Sequence, residues 1–292
     1  MSRIPPSAPA RLLGATALGA LLLAAAACAP VEDEPAADAG ATECTPEGME
    51  TLTAGTLTIG TDSPAYPPWF VDDDPTNGEG YESAVAYAVA EELGYSEADV
   101  VWESVTFNNA IQPGPKAFDV DINQFTITDE RKQAVDFSSP YYDVRQTVIT
   151  VAGSAISEAS SIADLKDATL GAQVGTTSLD ALTEVIAPTA DPQVFNNNDD
   201  AKKALENGQV DGIVVDLPTA FYITGAELDD GVIIGQLPAQ QEAAEQFGLV
   251  LDKGSALTPC VSQAIDSLVE QGVIAELEQQ WLADVAEAPE LS

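Results

Sequence analysis

Apolar and polar positions recur along the chain with two different periods, which predicts a mixture of strands and helices. Polar and apolar residues alternate over 56–60, as in a strand. The segment ESAVAYAVAEEL at 82–93 instead has apolar residues at helical spacing and ends before Gly94, a typical helix stop. The same criteria predict strands at 100–105, 118–122, 146–151, 169–174, 210–215 and 247–251, and helices at 178–186, 201–207, 217–224, 257–271 and 273–284.

The order of these elements predicts the fold class. Strands and helices alternate through the body of the chain, and such alternation is typical of an α/β sheet with helices on both faces. The pattern starts again near residue 150, so we expect two similar lobes within the 292 residues.

The N-terminal segment has the pattern of an export signal. Arg3 and Arg11 form a basic region, and 12–27 is an apolar or small-residue run that is short for a membrane span. The following Cys28 resembles the lipidated cysteine of bacterial lipoproteins, so 1–27 is interpreted as a lipoprotein signal peptide. The alternative is an ordinary signal peptide cleaved nearby, with Cys28 incidental.

Acidic and cysteine residues extend this interpretation. Residues 28–47 are rich in Ala, Glu, Asp and Pro without periodicity, which predicts a flexible acidic tether. With Cys28 on lipid, Cys44 and Cys260 remain as an even pair in an oxidising compartment, where a disulfide is expected. The alternative is two free thiols.

Composition excludes several classes of function. Ten Lys and Arg against 48 Asp and Glu give a formal net charge of −38, which repels nucleic-acid phosphates, so no nucleic-acid partner is expected. The chain has no histidine, which removes Ser-His-Asp and Cys-His catalysis and the usual zinc sites. We find no metal-binding cluster, phosphate loop or cofactor motif, and therefore expect no metal and no cofactor.

Beyond the signal the chain has only two arginines, Arg131 and Arg145. Thr128 or Asp129 can cap a helix that would place Arg131 in its first turn, where the helix dipole disfavours a cation. A guanidinium there favours an anion, and its planar shape matches a carboxylate. The alternative is neutralisation by neighbouring acids at the surface. Arg145 lies near the boundary between the predicted lobes and can contact either an acidic ligand group or an acid of the other lobe.

Two further positions follow predicted strands. Gly175 lets the backbone approach a ligand, and Thr176 and Thr177 precede a helix, although from the residues alone a plain strand–helix turn is the favoured explanation. Asp216 ends a buried strand, where α/β sheets bind ligands, and it can also cap the next helix.

Aromatic and acidic side chains near turns are candidates for the wall of a ligand site. Tyr66, Trp69 and Phe107 can contact a ligand side chain or simply pack in the core. Asp62 precedes Ser-Pro and can meet a cationic ligand group or form the turn.

Four strings in order carry a family resemblance. They are IGTDSPAYPPW at 59–69, FTITDERKQAVDFSSPYY at 125–142, DLKDATLGAQVGTTSLDAL at 164–182 and ALENGQVDGIVVD at 204–216. Over about residues 50–285 the chain resembles the amino-acid-binding family of bacterial ABC-transporter substrate-binding proteins (solute-binding protein family 3). The resemblance implies a two-lobed periplasmic-binding-protein-like clamp with a two-strand hinge. Lobe 1 would span 48–146 plus 248–292, and lobe 2 would span 147–247.

The resemblance also implies roles for individual residues. Arg131 and the threonines Thr176 and Thr177 would hold a ligand α-carboxylate, and Asp216 would take its α-ammonium group. Tyr66 and Phe107 match the aromatic positions of the family best. The backbone carbonyls near Asn123, Gln124 and Thr126 could also take the ammonium, but Asn123-Gln124 departs from the Ser-rich strings of relatives, which puts the side-chain pocket in doubt. Asp62 matches a position at which relatives that bind basic amino acids meet the ligand side chain. Together with Trp69, Asn123 and Arg145 it is a possible specificity residue.

The implied function is an extracytoplasmic receptor, anchored by lipid on Cys28, that binds an amino acid or a close analogue as a monomer and delivers it to ABC permease subunits. Two alternatives use the same fold. An enzyme, such as a dehydratase or a cell-wall lyase, would need a general acid or base without histidine, with Asp216 or Asp62 as candidates. A sensor module for another membrane protein is the other.

Overall fold

Two five-stranded sheets, each packed against helices, form the body of the chain. This computed structural model describes residues 44–238, 244–282 and 288–292. The strands are β1 Leu57–Thr61, β2 Val100–Ser104, β3 Val120–Asp121, β4 Val135–Phe137, β5 Tyr142–Val144, β6 Gln146–Val151, β7 Leu170–Gln173, β8 Gln193–Phe195, β9 Gly212–Asp216, β10 Gly231–Gln236, β11 Glu245–Phe247 and β12 Val250–Asp252. The helices are α1 Tyr81–Glu92, α2 Phe107–Ala110, α3 Thr177–Ala181, α4 Asn198–Glu206, α5 Leu217–Tyr222, α6 Thr258–Glu270 and α7 Val273–Leu282.

The two sheets share one arrangement of parallel strands. The first has the order β2-β1-β3-β12-β4 and the second β10-β6-β9-β7-β8. Strand β1 is parallel to β2 and β3, and β7 is parallel to β8 and β9. Because the three strands of each set run in the same direction, their carboxyl ends lie at one edge of the sheet. The predicted α/β clamp of two similar lobes is confirmed.

The lobes are joined by a pair of short strands. Strand β5 runs into β6 of the second sheet, and β11 runs into β12 of the first. The two pair antiparallel, with Phe247 opposite Tyr142. The chain therefore crosses between the lobes on the two-strand hinge that the resemblance implied.

Both faces of the first sheet are covered. One apolar cluster lies between the sheet and helices α1 and α6, and a second lies on the opposite face beneath α2. Every residue of β1 is consequently buried, including Thr58 and Thr61, although its alternating pattern is also that of a half-exposed strand. Two clusters likewise cover the second sheet.

Several predicted elements differ in extent. The strand expected at 118–122 is reduced to Val120–Asp121, and the strand expected at 247–251 is the end of β11 followed by β12. The helix expected after Thr128 is only a 3₁₀ turn, Arg131–Gln133, in which the Thr128 hydroxyl accepts from the Arg131 N–H at 3.1 Å. Arg131 is therefore placed by a turn rather than by a helix.

The two ends of the described chain correct the predicted boundaries. Cys44 is disulfide-bonded to Cys260 of α6, as predicted, across a sequence separation of 216. Residues 44–47 are thus ordered in a turn and do not belong to the tether. At the other end Leu291 donates to the Gln236 carbonyl, so 288–292 packs on the second sheet and not with lobe 1. The signal peptide 1–27 and Cys28 lie outside the described residues.

Candidate functional site

A cavity of about 230 Å³ lies where the carboxyl ends of all six parallel strands come together. The first lobe contributes residues that follow β1, β2 and β3: Asp62, Ser63, Pro64, Tyr66, Thr106, Phe107, Asn108, Asn123, Gln124, Thr126 and Arg131. The second contributes residues at or after the ends of β7, β8 and β9: Gln173, Thr176, Thr177, Ser178, Asn196, Asn197, Asn198, Val215 and Asp216. Gln146 and Phe247, from the strands near the hinge, complete the lining.

The Arg131 side chain is buried between the lobes, with 9% of its surface exposed. Its Nη1 donates to the Thr126 carbonyl at 2.7 Å, and its Nη2 donates to the Gly175 carbonyl of the second lobe at 2.9 Å. The guanidinium carbon lies 5.3 Å from the centre of the Phe107 ring. Burial lowers the pKa of Arg131 to about 10, so it remains a cation at neutral pH. A guanidinium has further N–H donors beyond these two bonds, and they can take a carboxylate.

The lobes touch closely at Gly175. This residue has φ +75°, and a Cβ there would lie 2.5 Å from Oδ1 of Asn108. Nearby, the hydroxyls of Thr126 and Thr177 are 3.0 Å apart. Thr176 caps α3 by accepting from the Leu179 N–H, which is the role expected of a plain turn. Glycine suits position 175 because its φ is positive and because a Cβ there would displace the Asn108 side chain.

Asp216 both caps a helix and lines the cavity. Its Oδ1 accepts from the Thr219 N–H at 2.9 Å and its Oδ2 accepts from the Thr219 hydroxyl at 2.8 Å, so it caps α5. It also lines the cavity. Burial raises its pKa to about 6, which leaves it mostly ionised at neutral pH.

A buried glutamate that sequence reasoning missed supports the cavity from behind. Glu82 of α1 is fully buried and accepts from the Gln124 N–H at 2.7 Å, from the Gln124 side-chain amide and from the Tyr141 hydroxyl. Gln124 has φ +48°, a conformation unusual for a non-glycine residue. Burial raises the pKa of Glu82 to about 7. The sequence did contain a signal for this role, because Glu82 is an acid on the apolar face of the predicted helix.

The predicted wall residues have different positions. Tyr66 and Asn123 line the cavity, and burial raises the Tyr66 pKa well above its ordinary value. Phe107 lines it as well, stacked on Phe125 with ring centroids 4.8 Å apart. Asp62 also lines it, and its Oδ2 accepts from the Phe107 N–H at 3.0 Å, which ties the end of β1 to the end of β2.

Two predicted specificity residues do not line the cavity. Trp69 is fully buried behind it, against the hinge strands. Arg145 is half-exposed and forms an ion pair of 2.7 Å with Glu290, an acid of the C-terminal segment that packs on the second sheet. Of the two partners considered, an acidic ligand group or an acid of the other lobe, Arg145 therefore binds the second.

Sequence reasoning missed an amide-rich part of the cavity wall. Asn108 and the run Asn196–Asn198 line the cavity, and Asn197 caps α4 by accepting from the Asp200 N–H at 2.8 Å. The run follows β8, a three-residue strand that the pattern did not predict, so its place at a strand end was not evident. An asparagine run before a helix was the signal that could have found it.

In residues 44–238, 244–282 and 288–292, no group of three or more Cys, Asp or Glu side chains is arranged to hold a metal ion. No helix of this part of the chain combines the length and apolar character that a bilayer crossing needs.

Relatives of known name are binding proteins for amino acids. The L-cystine-binding protein TcyJ of Escherichia coli K12 is 28% identical over 235 residues, 79% of this chain and 84% of the relative. The arginine-, lysine-, histidine-binding protein ArtJ of Geobacillus stearothermophilus has a solved structure that matches with a TM-score of 0.66 at 26% identity, covering 78% of this chain and 96% of that one.

A third similar structure is that of the ancestral amino acid-binding protein AncCDT-1, described as a precursor of cyclohexadienyl dehydratase. It matches with a TM-score of 0.63 at 31% identity and covers 78% of this chain and 95% of that one. The family profile of bacterial extracellular solute-binding proteins, family 3, matches residues 57–284. With that match over most of its length and a cavity between two hinged lobes, the chain belongs to family 3 of the bacterial extracellular solute-binding proteins.

Proposed function

We propose that the protein binds an amino acid in the cavity between its lobes and delivers it to the permease of an ABC transporter. One observation carries the proposal. A guanidinium from the first lobe, Arg131, and a carboxylate from the second, Asp216, line the same cavity. An α-amino acid carries the complementary pair of charges on a single carbon, so it can satisfy both groups at once.

The contacts available to each end of the ligand differ. The carboxylate would take the free N–H donors of Arg131 together with the Thr177 hydroxyl, which lies 3.0 Å from that of Thr126. The ammonium would take Asp216, whose oxygens already accept two bonds from Thr219 and retain lone pairs. Charge-assisted bonds of this kind are the strong ones in a site shielded from water.

The charges of the lining favour some ligand side chains over others. Among the described residues that line the cavity, Arg131 is the only cation, whereas Asp62 and Asp216 are acids and most other polar groups are amides or hydroxyls. Once the α-carboxylate occupies Arg131, an acidic side chain would meet no cation. We therefore propose a ligand whose side chain is neutral and polar or cationic.

Contacts from both lobes couple binding to closure. Arg131 reaches the Gly175 carbonyl across the lobes, and β5 with β11 provides the hinge. A ligand held by both lobes favours the closed arrangement in proportion to its extra contacts there. Membrane attachment through Cys28, outside the described residues, belongs to the same proposal.

A thermal-shift panel tests the proposal directly. The purified protein is heated with each protein amino acid, L-cystine, opines and polyamines in turn, and hits are measured by calorimetry. A ligand at one hundred times its Kd stabilises by about 2.7 kcal/mol, which corresponds to a Tm rise of about 5–10 °C. Failure of every α-amino acid to raise Tm would contradict the proposal. Consumption of a ligand during incubation would favour the enzyme alternative.

A further inference from the structure

Trp69 occupies the junction of the two lobes and the hinge. Its side chain is fully buried, and its ring packs edge-on against Tyr142 of β5 and Phe247 of β11, at centroid distances of 5.6 and 5.7 Å. It also packs against Tyr81, at the start of α1, at 6.0 Å. This packing accounts for the ring but not for its N–H group.

The indole N–H crosses from the first lobe to the second. Nε1 of Trp69 donates to the hydroxyl oxygen of Thr219 at 2.9 Å. An indole nitrogen can only donate, so the threonine oxygen must accept this bond. The hydroxyl proton is then free to point toward Oδ2 of Asp216, 2.8 Å away. The direction of both hydrogen bonds, from Trp69 to Thr219 and from Thr219 to Asp216, is therefore determined.

The last acceptor in this series of hydrogen bonds is the Asp216 carboxylate, which lines the cavity. The Thr219 N–H holds Oδ1 of Asp216, and the Thr219 hydroxyl holds Oδ2, so the plane of the carboxylate is set by one residue. Thr219 is itself buried, which makes an unsatisfied indole N–H or hydroxyl costly there.

We propose that Trp69 is a positioning residue that orients Asp216, through Thr219, toward the α-ammonium group of the ligand. This inference rests on the proposed function. Because the indole and the threonine belong to different lobes, the bond requires that the lobes be together. Lobe closure and recognition of the ammonium group are thereby coupled by a bond that does not touch the ligand.

Conservative variants separate this role from simple packing. Trp69→Phe keeps a ring against the hinge strands and removes the N–H. Thr219→Val keeps the shape and removes the hydroxyl, whereas Thr219→Ser restores the hydroxyl. The matched control is Trp102→Phe, because Nε1 of Trp102 donates to the Tyr87 hydroxyl at 3.2 Å within the first lobe.

The probes are the tightest-binding amino acid of the panel and the carboxylic acid in which hydrogen replaces its α-amino group, for example L-arginine and 5-guanidinopentanoic acid. Calorimetry on the full folded protein should show that Trp69→Phe weakens the amino acid about 3- to 10-fold and leaves the des-amino acid within about 2-fold. Thr219→Val should weaken the amino acid at least as much, and Thr219→Ser and Trp102→Phe should stay within about 2-fold of wild type. Combining Trp69→Phe with Thr219→Val should add no further loss.

Three results would overturn the inference. Equal losses for both probes would show that Trp69 supports closure or packing without orienting Asp216, and unchanged affinity in both Trp69→Phe and Thr219→Val would leave the bond without a role. Full additivity in the double variant would show that the two residues act separately. A wild type that binds no amino acid is a different result, which removes the proposed function itself. If Trp69→Phe does not fold, Thr219→Val and Thr219→Ser decide the question by the same comparison.

Discussion

Two aspartates, Asp119 just before β3 and Asp121 at its end, differ in what their carboxyl groups contact. Asp119 accepts from the Leu52 N–H at 2.7 Å and from the Thr58 N–H at 2.8 Å. Asp121 is fully buried, and both of its oxygens lack a hydrogen-bond partner among the described residues. It lies opposite Gly60, and a Cβ at Gly60 would collide with its carboxyl group. Burial, with Glu82 and Asp62 nearby, raises the pKa of Asp121 well above its ordinary value.

We expect Asp121→Val to stabilise the fold. The substitution removes a buried carboxyl without partners and suits a central strand, so the free energy of unfolding at pH 7 should rise by about 1–3 kcal/mol. Urea denaturation measures the change. Asp119→Val is the matched control and should lower stability, because it removes the acceptor of the Leu52 N–H and of the buried Thr58 N–H. A loss of stability in Asp121→Val would mean that its carboxyl has a partner in solution.

At the same scale, Arg131→Ala should lower amino-acid affinity by about 30-fold or more. One charge-assisted pair in a shielded site is lost, at about 2–5 kcal/mol. Lys132→Ala provides the control, since this neighbour is half-exposed and pairs with Asp129 at 3.5 Å. Calorimetry that finds wild-type affinity in Arg131→Ala would refute its assignment to the ligand carboxylate.

Among the elements, the strand ends account for the site. The residues predicted as ligand-binding either follow the ends of β1, β2, β3 and β7 or end β9, and the structure brings those ends to one cavity. Helix α1 reinforces this arrangement through Glu82, which holds the turn at Gln124. A buried acid thus links a core helix to the cavity wall, and its ionisation should affect the whole lobe.

Stability should therefore depend on pH in a predictable direction. The pKa of Glu82 is raised to about 7 and that of Asp216 to about 6 in the folded state, so the folded chain keeps protons that the unfolded chain has already lost. The contribution of these two groups to stability is then greatest below the ordinary carboxyl pKa of about 4, falls as pH rises from about 4 to 7, and is constant above that range. Tm measured across pH shows this slope.

Glu82→Gln should flatten that slope, because the variant has no proton to lose. Glu91→Gln changes an exposed acid of the same helix and should leave the slope as it is. A Tm that instead rises between pH 5 and 7 in the wild type would contradict the assigned direction.

For the molecule as a whole, the net charge of −38 is the dominant electrostatic feature. Such an excess of one sign destabilises the compact state through self-repulsion. We expect Tm to rise with potassium chloride between about 0.01 and 1 M, as the screening length falls from about 30 to about 3 Å. The rise should shrink near pH 4, where many carboxylates are protonated. An equal salt response at both pH values would exclude repulsion between carboxylates as its cause.

The local pattern of apolar and polar residues was sufficient to predict the α/β class, the main helices and the candidate site residues at strand ends. The predicted ends of strand β6 and helix α1 agree with the structure to within one residue, since apolar residues recur regularly along each of them. Strands β4, β5 and β8 have three residues each and show no period, so they were missed, and β11 was predicted only at its last residue. The asparagines after β8 were missed with them.

The family could be inferred, and Arg131 could be selected as a candidate, from residues near one another in the chain, because turn chemistry and strand ends are local properties. The side-chain bonds of Trp69, Arg145 and Glu82 could not, because the partners in those bonds lie 42 or more positions away. Whether an aromatic ring faces a ligand or the hinge, and whether a buried acid meets donors, is decided when the sheets and helices pack. At that stage desolvation and hydrogen-bond geometry, which depend on distant segments, determine what each side chain does.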